Sequence, residues 1–336
     1  MHTLLCSIAD RLSSPENPAA AEGISSAEAL ELAELPASET LDLLTVASLV
    51  RARCKPDAAF TCGIINAKSG RCPENCAFCA QSAHYSTGAA VYPLVDEQEL
   101  LRRAETLHRA GALRFGIVSS GTAPNDADLD RLCAAAARIT REVGIRLCGS
   151  LGQLTREKAE RLRQAGFTSY HHNLETASSH FSSICTTHAY AEDMETVRVA
   201  QAAGLRVCCG GILGLGENWT QRVELAETLR ALNVDSIPLN FLNPIPGTPL
   251  AGRSPLAPAE ALRCISLFRL MHPSRDILVC GGRTRTLGAW QSWLFLAGAN
   301  GLMTGDYLTT TGSSFDADTA MMETLGLRTP VPSSEV

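Results

Sequence analysis

From about residue 58 onward, short apolar or β-branched runs recur along the chain, separated by longer charged and amphipathic stretches. The runs predict strands at 60–65, 114–118, 145–150, 169–174, 205–213, 236–241, 277–280 and 301–303, eight in all. Between them, 97–110, 126–143, 155–164, 191–203, 219–232, 258–271 and 285–296 are each long enough for a helix. Strand alternating with helix implies a parallel sheet. Eight such units over roughly 250 residues predict an α/β fold, a (β/α)8 TIM-type barrel; an open doubly wound sheet is the other fold that such alternation serves. Ahead of it, 27–34 and 39–55 are predicted helices, the first weakly capped by Ser26 with Glu28 close behind. The expected organisation is an N-terminal helical extension over 1–57, a barrel over 58–325 and a tail over 326–336. The segment 13–27 reads as a loop, and the Pro- and Ser-rich end, 329–336, as frayed.

Composition narrows the partners. With 45% hydrophobic and 19% charged residues over 336 positions, the chain reads as an ordinary globular protein. A net charge of -6 offers no basic face for nucleic acid or an acidic membrane, so the expected substrate is small. The first residues lack a basic start and a long apolar core, and no stretch is long enough to cross a bilayer, so the expected location is the cytoplasm. In that reducing compartment thirteen cysteines are metal ligands, catalytic groups or core fillers rather than disulfides.

Three of them lie within eight residues, at Cys72, Cys76 and Cys79, in a loop flanked by Gly70, Pro73 and Asn75. Three thiolates on one loop hold three irons of a cubane cluster and leave the fourth iron open for chemistry. Cys76 and Cys79 alone suit a zinc half-site or a redox dithiol, but structural zinc needs a second pair at similar spacing, and the chain has no second Cys-x2-Cys. With Phe78 before the last cysteine, the motif resembles that of radical S-adenosylmethionine enzymes. The loop directly follows the first predicted strand, and barrel active sites gather at the C-terminal ends of strands.

A second set falls on the odd-numbered predicted strands: Cys62, Cys148, Cys208 or Cys209, and Cys280. Barrel interiors are layered from alternate strands, so one inward cysteine from each can converge on the axis and hold another cluster. Neighbouring side chains on a strand face opposite ways, so only one of Cys208 and Cys209 points inward, and Cys208 is favoured. The competing reading is plain core packing. Packing is also the expectation for Cys6, Cys54, Cys133, Cys185 and Cys264.

Taken together, the stretches 66–82, 170–176, 207–217, 238–242, 247–250, 280–283 and 297–300 resemble the biotin synthase family over nearly all of residues 40–325. The resemblance implies sulfur insertion between two unactivated carbons of dethiobiotin, with S-adenosylmethionine cleaved reductively at a 4Fe-4S cluster and sulfur drawn from an auxiliary iron-sulfur cluster. It implies that Phe78 contacts adenine, that Asn173 and Glu175 hold the ribose hydroxyls, and that Gly210 and Gly211 allow close backbone approach in the cofactor site. His171 and Asn240 match positions for the ureido ring, while His172 reads equally as the polar end of a strand. Arg283 matches an arginine ligand of the auxiliary cluster, with a charge-balancing role as the alternative. A flavodoxin or ferredoxin donor and a homodimer are implied as well.

Two positions depart from the best-known members. Where those have a cysteine on the second strand this chain has Gly116, with Cys62 and Cys280 in apparent exchange, resembling the subgroup of anaerobes and implying a cubane in place of a 2Fe-2S auxiliary cluster. A family arginine near the methionine carboxylate is replaced by Asp193. The alternatives are a related radical enzyme with another small substrate, and a non-catalytic metal or electron-transfer protein.

Overall fold

Residue alternation along the strands builds the wall of the molecule. The computed structural model describes residues 2–13, 22–56 and 59–327. Its strands are β1 (Phe60–Lys68), β2 (Arg114–Ser119), β3 (Arg146–Ser150), β4 (Phe167–His171), β5 (Arg206–Cys208), β6 (Gly211–Leu213), β7 (Ser236–Phe241), β8 (Asp276–Val279) and β9 (Gly301–Met303). All pair in parallel, in the order β5-β4-β3-β2-β1-β9-β8-β7-β6, and the pairing of Cys208 with Ser236 joins β5 to β7 and closes the ring. Segments β5 and β6 are two halves of one barrel strand, so the ring is an eight-stranded (β/α)8 barrel.

On β2, Phe115 and Ile117 are fully buried under the helices while Arg114, Gly116 and Val118 line the central cavity. The same two-residue period puts Leu147 under the helices and Cys148 inside, and Ile237 under the helices and Pro238 inside. Each fully buried outward side chain stabilises the wall by about 1.5–3 kcal/mol relative to exposure. Side-chain caps start the helices that deliver this layer: Asp96, Asn125, Thr155 and Asn218 each accept the backbone N–H three residues on.

The N-terminal helices Ser26–Ala33 and Thr40–Cys54 pack beside the barrel helix Pro258–Met271, and Thr3–Ser13 packs on those two. Arg263 on that helix donates to the carbonyls of Leu32, Ala33 and Leu35, capping the end of Ser26–Ala33.

Several expectations need correcting. The predicted strand 205–213 is interrupted at Cys209 and Gly210, where a side chain on Gly210 would sit 2.0 Å from the Pro238 carbonyl oxygen. Strand 169–174 runs instead from Phe167 to His171, although His172 and Leu174 still donate to the carbonyls of Cys208 and Gly210. Helix 285–296 is broken into three short turns, Arg283–Leu287, Gly288–Trp290 and Trp293–Leu296, because Gly288 takes φ 51° and ψ -122°. The cap of Ser26–Ala33 is Ser25, in a capping box with Glu28, one residue before the predicted Ser26. Helix Thr3–Ser13 was not predicted. Most of loop 13–27 and the tail 329–336 lie outside the described residues. Among the described residues no helix is long and apolar enough to cross a membrane.

Candidate functional site

The loop after β1 is folded by its own backbone before any metal is considered. Gly70 (φ 79°) and Arg71 (φ 54°) turn the chain, Cys72 bridges to Ser82, and Cys79 N donates to the Cys76 carbonyl at 3.0 Å. Backbone N–H groups of Glu74 and Gly121 face the Cys72 sulfur, and those of Gln81 and Ser82 face that of Cys79. Amides aimed at sulfur offset thiolate charge and tune an iron-sulfur centre, so this donor set fits a cluster held by three cysteines.

A second clamp comes from the segment after β4. Asn75 donates to Thr186 Oγ1 at 2.7 Å and accepts from Thr186 N at 2.9 Å, and Ala77 N donates to the Ile184 carbonyl at 2.8 Å. Phe78 packs against Ile184, Leu215 and Leu242 at one end of a cavity of about 340 Å³.

Phe78 and Cys79 line that end, His171, Asn173, Glu175 and Asn240 line the wall, and Cys62, Cys148, Cys208 and Cys280 line the barrel interior. Cys280 follows directly after β8. Cys209 is fully buried in the outer core, as alternation requires. Burial pushes the thiols of Cys62 and Cys208 up to about 12 and that of Cys148 up to about 11. Arg114, the first residue of β2, stands among them. Its charge opposes the rise at Cys62, Cys148 and Cys208, and it lies 3.5 Å from Asp276. Gly116 occupies the neighbouring inward position with no donor to offer.

On the wall, Asn173 Nδ2 donates to Glu175 Oε2 at 3.3 Å, and Gly210 N donates to Asn173 Oδ1 at 3.2 Å. Burial, then the nearby Asp193, pushes the Glu175 carboxyl up to about 8. Burial, aided by the neighbouring His172, pulls His171 down to about 4, so it is neutral at neutral pH; its Nδ1 lies 3.1 Å from Ser150 Oγ. Asn240 is held by Gly211 O and Gly281 N.

Matches to known proteins cover the same parts of the chain. Residues 67–229 match the Radical SAM superfamily, and residues 238–328 match the Biotin and Thiamin Synthesis associated domain. A biotin synthase of Nitratidesulfovibrio vulgaris is 61% identical over 307 residues, 91% of this chain and 85% of that protein. One from Geobacter sulfurreducens is 56% identical over 301 residues, 89% of this chain and 92% of its own length. The chain belongs to the biotin synthase family. Among solved structures, methylornithine synthase superposes with a TM-score of 0.83 at 19% identity, covering 96% of this chain and 97% of its own, a likeness of fold alone. Biotin synthases are radical S-adenosylmethionine enzymes, and the activity here is theirs, insertion of sulfur into dethiobiotin to make biotin.

Other residues singled out from sequence have partners of their own in the fold. Arg283 is fully buried behind the cavity wall, paired with Asp318 at 2.5 Å and donating to Gln291 and to the Met303 carbonyl. Its charge reaches Cys280 and opposes the rise of that thiol. Gly210 and Gly211 do not line the cavity; their close approaches are to the carbonyls of Pro238 and Glu175. Asp193 is buried between His172 Nε2 at 2.8 Å and His188 Nε2 at 3.2 Å. Hydrogen bonding to Asp193, then to Glu74, raises His188 to about 10 against the effect of burial. Cys185 is buried as expected, with its sulfur 3.9 Å from Cys76 Sγ and 3.4 Å from His188 Nδ1, whereas Cys6, expected to pack, is exposed.

Proposed function

We propose that the two groups of thiols hold two iron-sulfur clusters at the two ends of one cavity, with S-adenosylmethionine and dethiobiotin between them. The observation that carries this is the shared lining: Cys79 and Phe78 at one end, four inward cysteines at the other, and hydrogen-bonding side chains on the wall between. Cys72, Cys76 and Cys79 would hold a 4Fe-4S cluster, and Cys62, Cys148, Cys208 and Cys280 a second cubane. Bound there, the first supplies the electron for reductive cleavage and the second supplies sulfur.

The remaining roles follow from the chain's own groups. Phe78 offers an apolar face to adenine, and Asn173 with Glu175 offers an amide and a carboxyl to vicinal hydroxyls. Neutral His171 can both donate and accept, and Asn240 keeps one N–H and one lone pair beyond its two backbone bonds. Both suit a cyclic urea. Arg114 balances the charge of the inner thiolates. The apolar helices and strand faces around the cavity keep water from the reacting carbons. Reading 1–57 as a helical extension and 58–325 as the barrel, we assign this enzyme to the cytoplasm, as a homodimer served by flavodoxin or ferredoxin.

Iron and acid-labile sulfide analysis of anaerobically prepared protein tests the assignment. About eight irons per chain supports two cubanes; about six means a 2Fe-2S auxiliary cluster, and about four leaves the inner thiols without one.

A further inference from the structure

We propose that Cys185, His188 and Glu74 form a mononuclear site for a divalent transition ion, zinc or ferrous iron, on the flank of the cluster loop. One sulfur, one imidazole nitrogen and one carboxylate oxygen lie within 4.8 Å of one another. Cys185 Sγ is 3.4 Å from His188 Nδ1, which is 2.7 Å from Glu74 Oε2. A tetrahedral ion with bonds of about 2.3 Å to sulfur and about 2.0–2.1 Å to nitrogen and oxygen holds such donors roughly 3.3–3.6 Å apart. The cysteine–histidine pair already stands near that spacing, the histidine–glutamate pair must open by roughly half an ångström, and the cysteine–glutamate pair lies within 4.8 Å.

The surroundings are those of a ligand set. In the metal-free chain His188 holds a proton on each ring nitrogen, between Glu74 and Asp193, so an ion binding at Nδ1 displaces that proton to solvent while Nε2, 3.2 Å from the buried carboxylate of Asp193, keeps its own. A histidine fixed from behind by a carboxylate is the usual partner arrangement of metal-bound imidazole. Thr122 Oγ1 donates to Glu74 Oε1 at 2.5 Å, Oε2 faces the site and also accepts from Thr187 Oγ1, whose hydroxyl lies 3.4 Å from Cys185 Sγ, and Asp193 is itself held by His172 Nε2 at 2.8 Å. A thiolate with imidazole and one carboxylate suits zinc or ferrous iron and is too soft for magnesium or calcium. Glu74 belongs to the cluster loop, whereas Cys185 and His188 follow β4, so an ion here ties the two segments together.

Cys76 Sγ, 3.9 Å from Cys185 Sγ, is within reach as a fourth donor. That it is engaged elsewhere in the loaded enzyme rests on the cluster reading above. There the fourth position falls to water, and in cluster-free chain Cys76 takes it.

The test is zinc binding to the anaerobically reconstituted, desalted holoenzyme, read by equilibrium dialysis with elemental analysis and by X-ray absorption at the zinc edge, with iron and sulfide counted in the same sample. One zinc per chain with one sulfur and the rest nitrogen or oxygen is expected. Cys185→Ala should weaken binding at least tenfold, and Asp193→Asn by about tenfold through loss of the support behind His188, both with iron content unchanged. Binding indifferent to both variants, no retained zinc, or a shell of three or more sulfurs overturns the proposal. A sample without iron counts against the clusters alone; zinc should then show two sulfurs, and any other number overturns this site.

Discussion

Burial holds the inner thiols protonated in the metal-free chain, with Cys62 and Cys208 raised to about 12 and Cys148 to about 11. A cluster ligand is a thiolate, so if these cysteines hold the proposed inner cluster each must release its proton as iron binds, and loading should be favoured by alkaline conditions. The outer trio and the inner four should separate cleanly by substitution. Cys72→Ala is expected to abolish cleavage of S-adenosylmethionine, whereas Cys280→Ala should keep reductive cleavage and lose biotin formation; 5'-deoxyadenosine and biotin measured together distinguish them. His171 gives a pH signature of its own. Its folded value near 4 lies below the ordinary 6.5, so the unfolded chain binds a proton that the folded chain refuses. Stability is therefore unaffected by this group above pH 6.5 and falls as pH drops towards 4, by about 3 kcal/mol at most. In denaturant titrations from pH 7 to 4, His171→Asn should remove that part of the slope; an unchanged slope would mean His171 is not held neutral.

At the level of elements, the fifth barrel strand is where backbone contact governs most. Gly210 faces the Pro238 carbonyl so closely that a methyl group would stand 2.0 Å from the oxygen, and neither partner is a flexible side chain. Gly210→Ala should lower the melting temperature sharply or prevent folding, while Gly88→Ala, with open space around it, should change stability by less than about 0.5 kcal/mol. Equal melting of the two would contradict the close-packed account. Hydrophobic alternation made the strand legible in the sequence but not its interruption, because a two-residue break leaves the apolar pattern intact. The Gly-Gly pair signalled a close approach, yet nothing local said that the neighbour is a strand carbonyl instead of a ligand. Helix 285–296 failed for a related reason: Gly288 takes a backbone conformation that its apolar neighbours do not announce.

For the whole molecule, the barrel was readable because the strand and helix periods repeat eight times, and cysteines on alternate strands inherit a common inward face. What sequence could not supply are partnerships between distant segments. Arg114 reads as an ordinary strand end until the ring closes and sets it among Cys62, Cys148 and Cys208. Glu74 and His188 are 114 positions apart and meet only through the fold.

The central claim, that the inner cysteines hold the sulfur that enters the product, is tested most directly by isotope. Protein reconstituted anaerobically with heavy-isotope sulfide, freed of excess sulfide and given a single turnover with dethiobiotin and S-adenosylmethionine should yield biotin carrying the label, and the Cys280→Ala variant should yield none. Unlabelled biotin from the parent, or labelled biotin at the normal rate from the variant, would contradict the account.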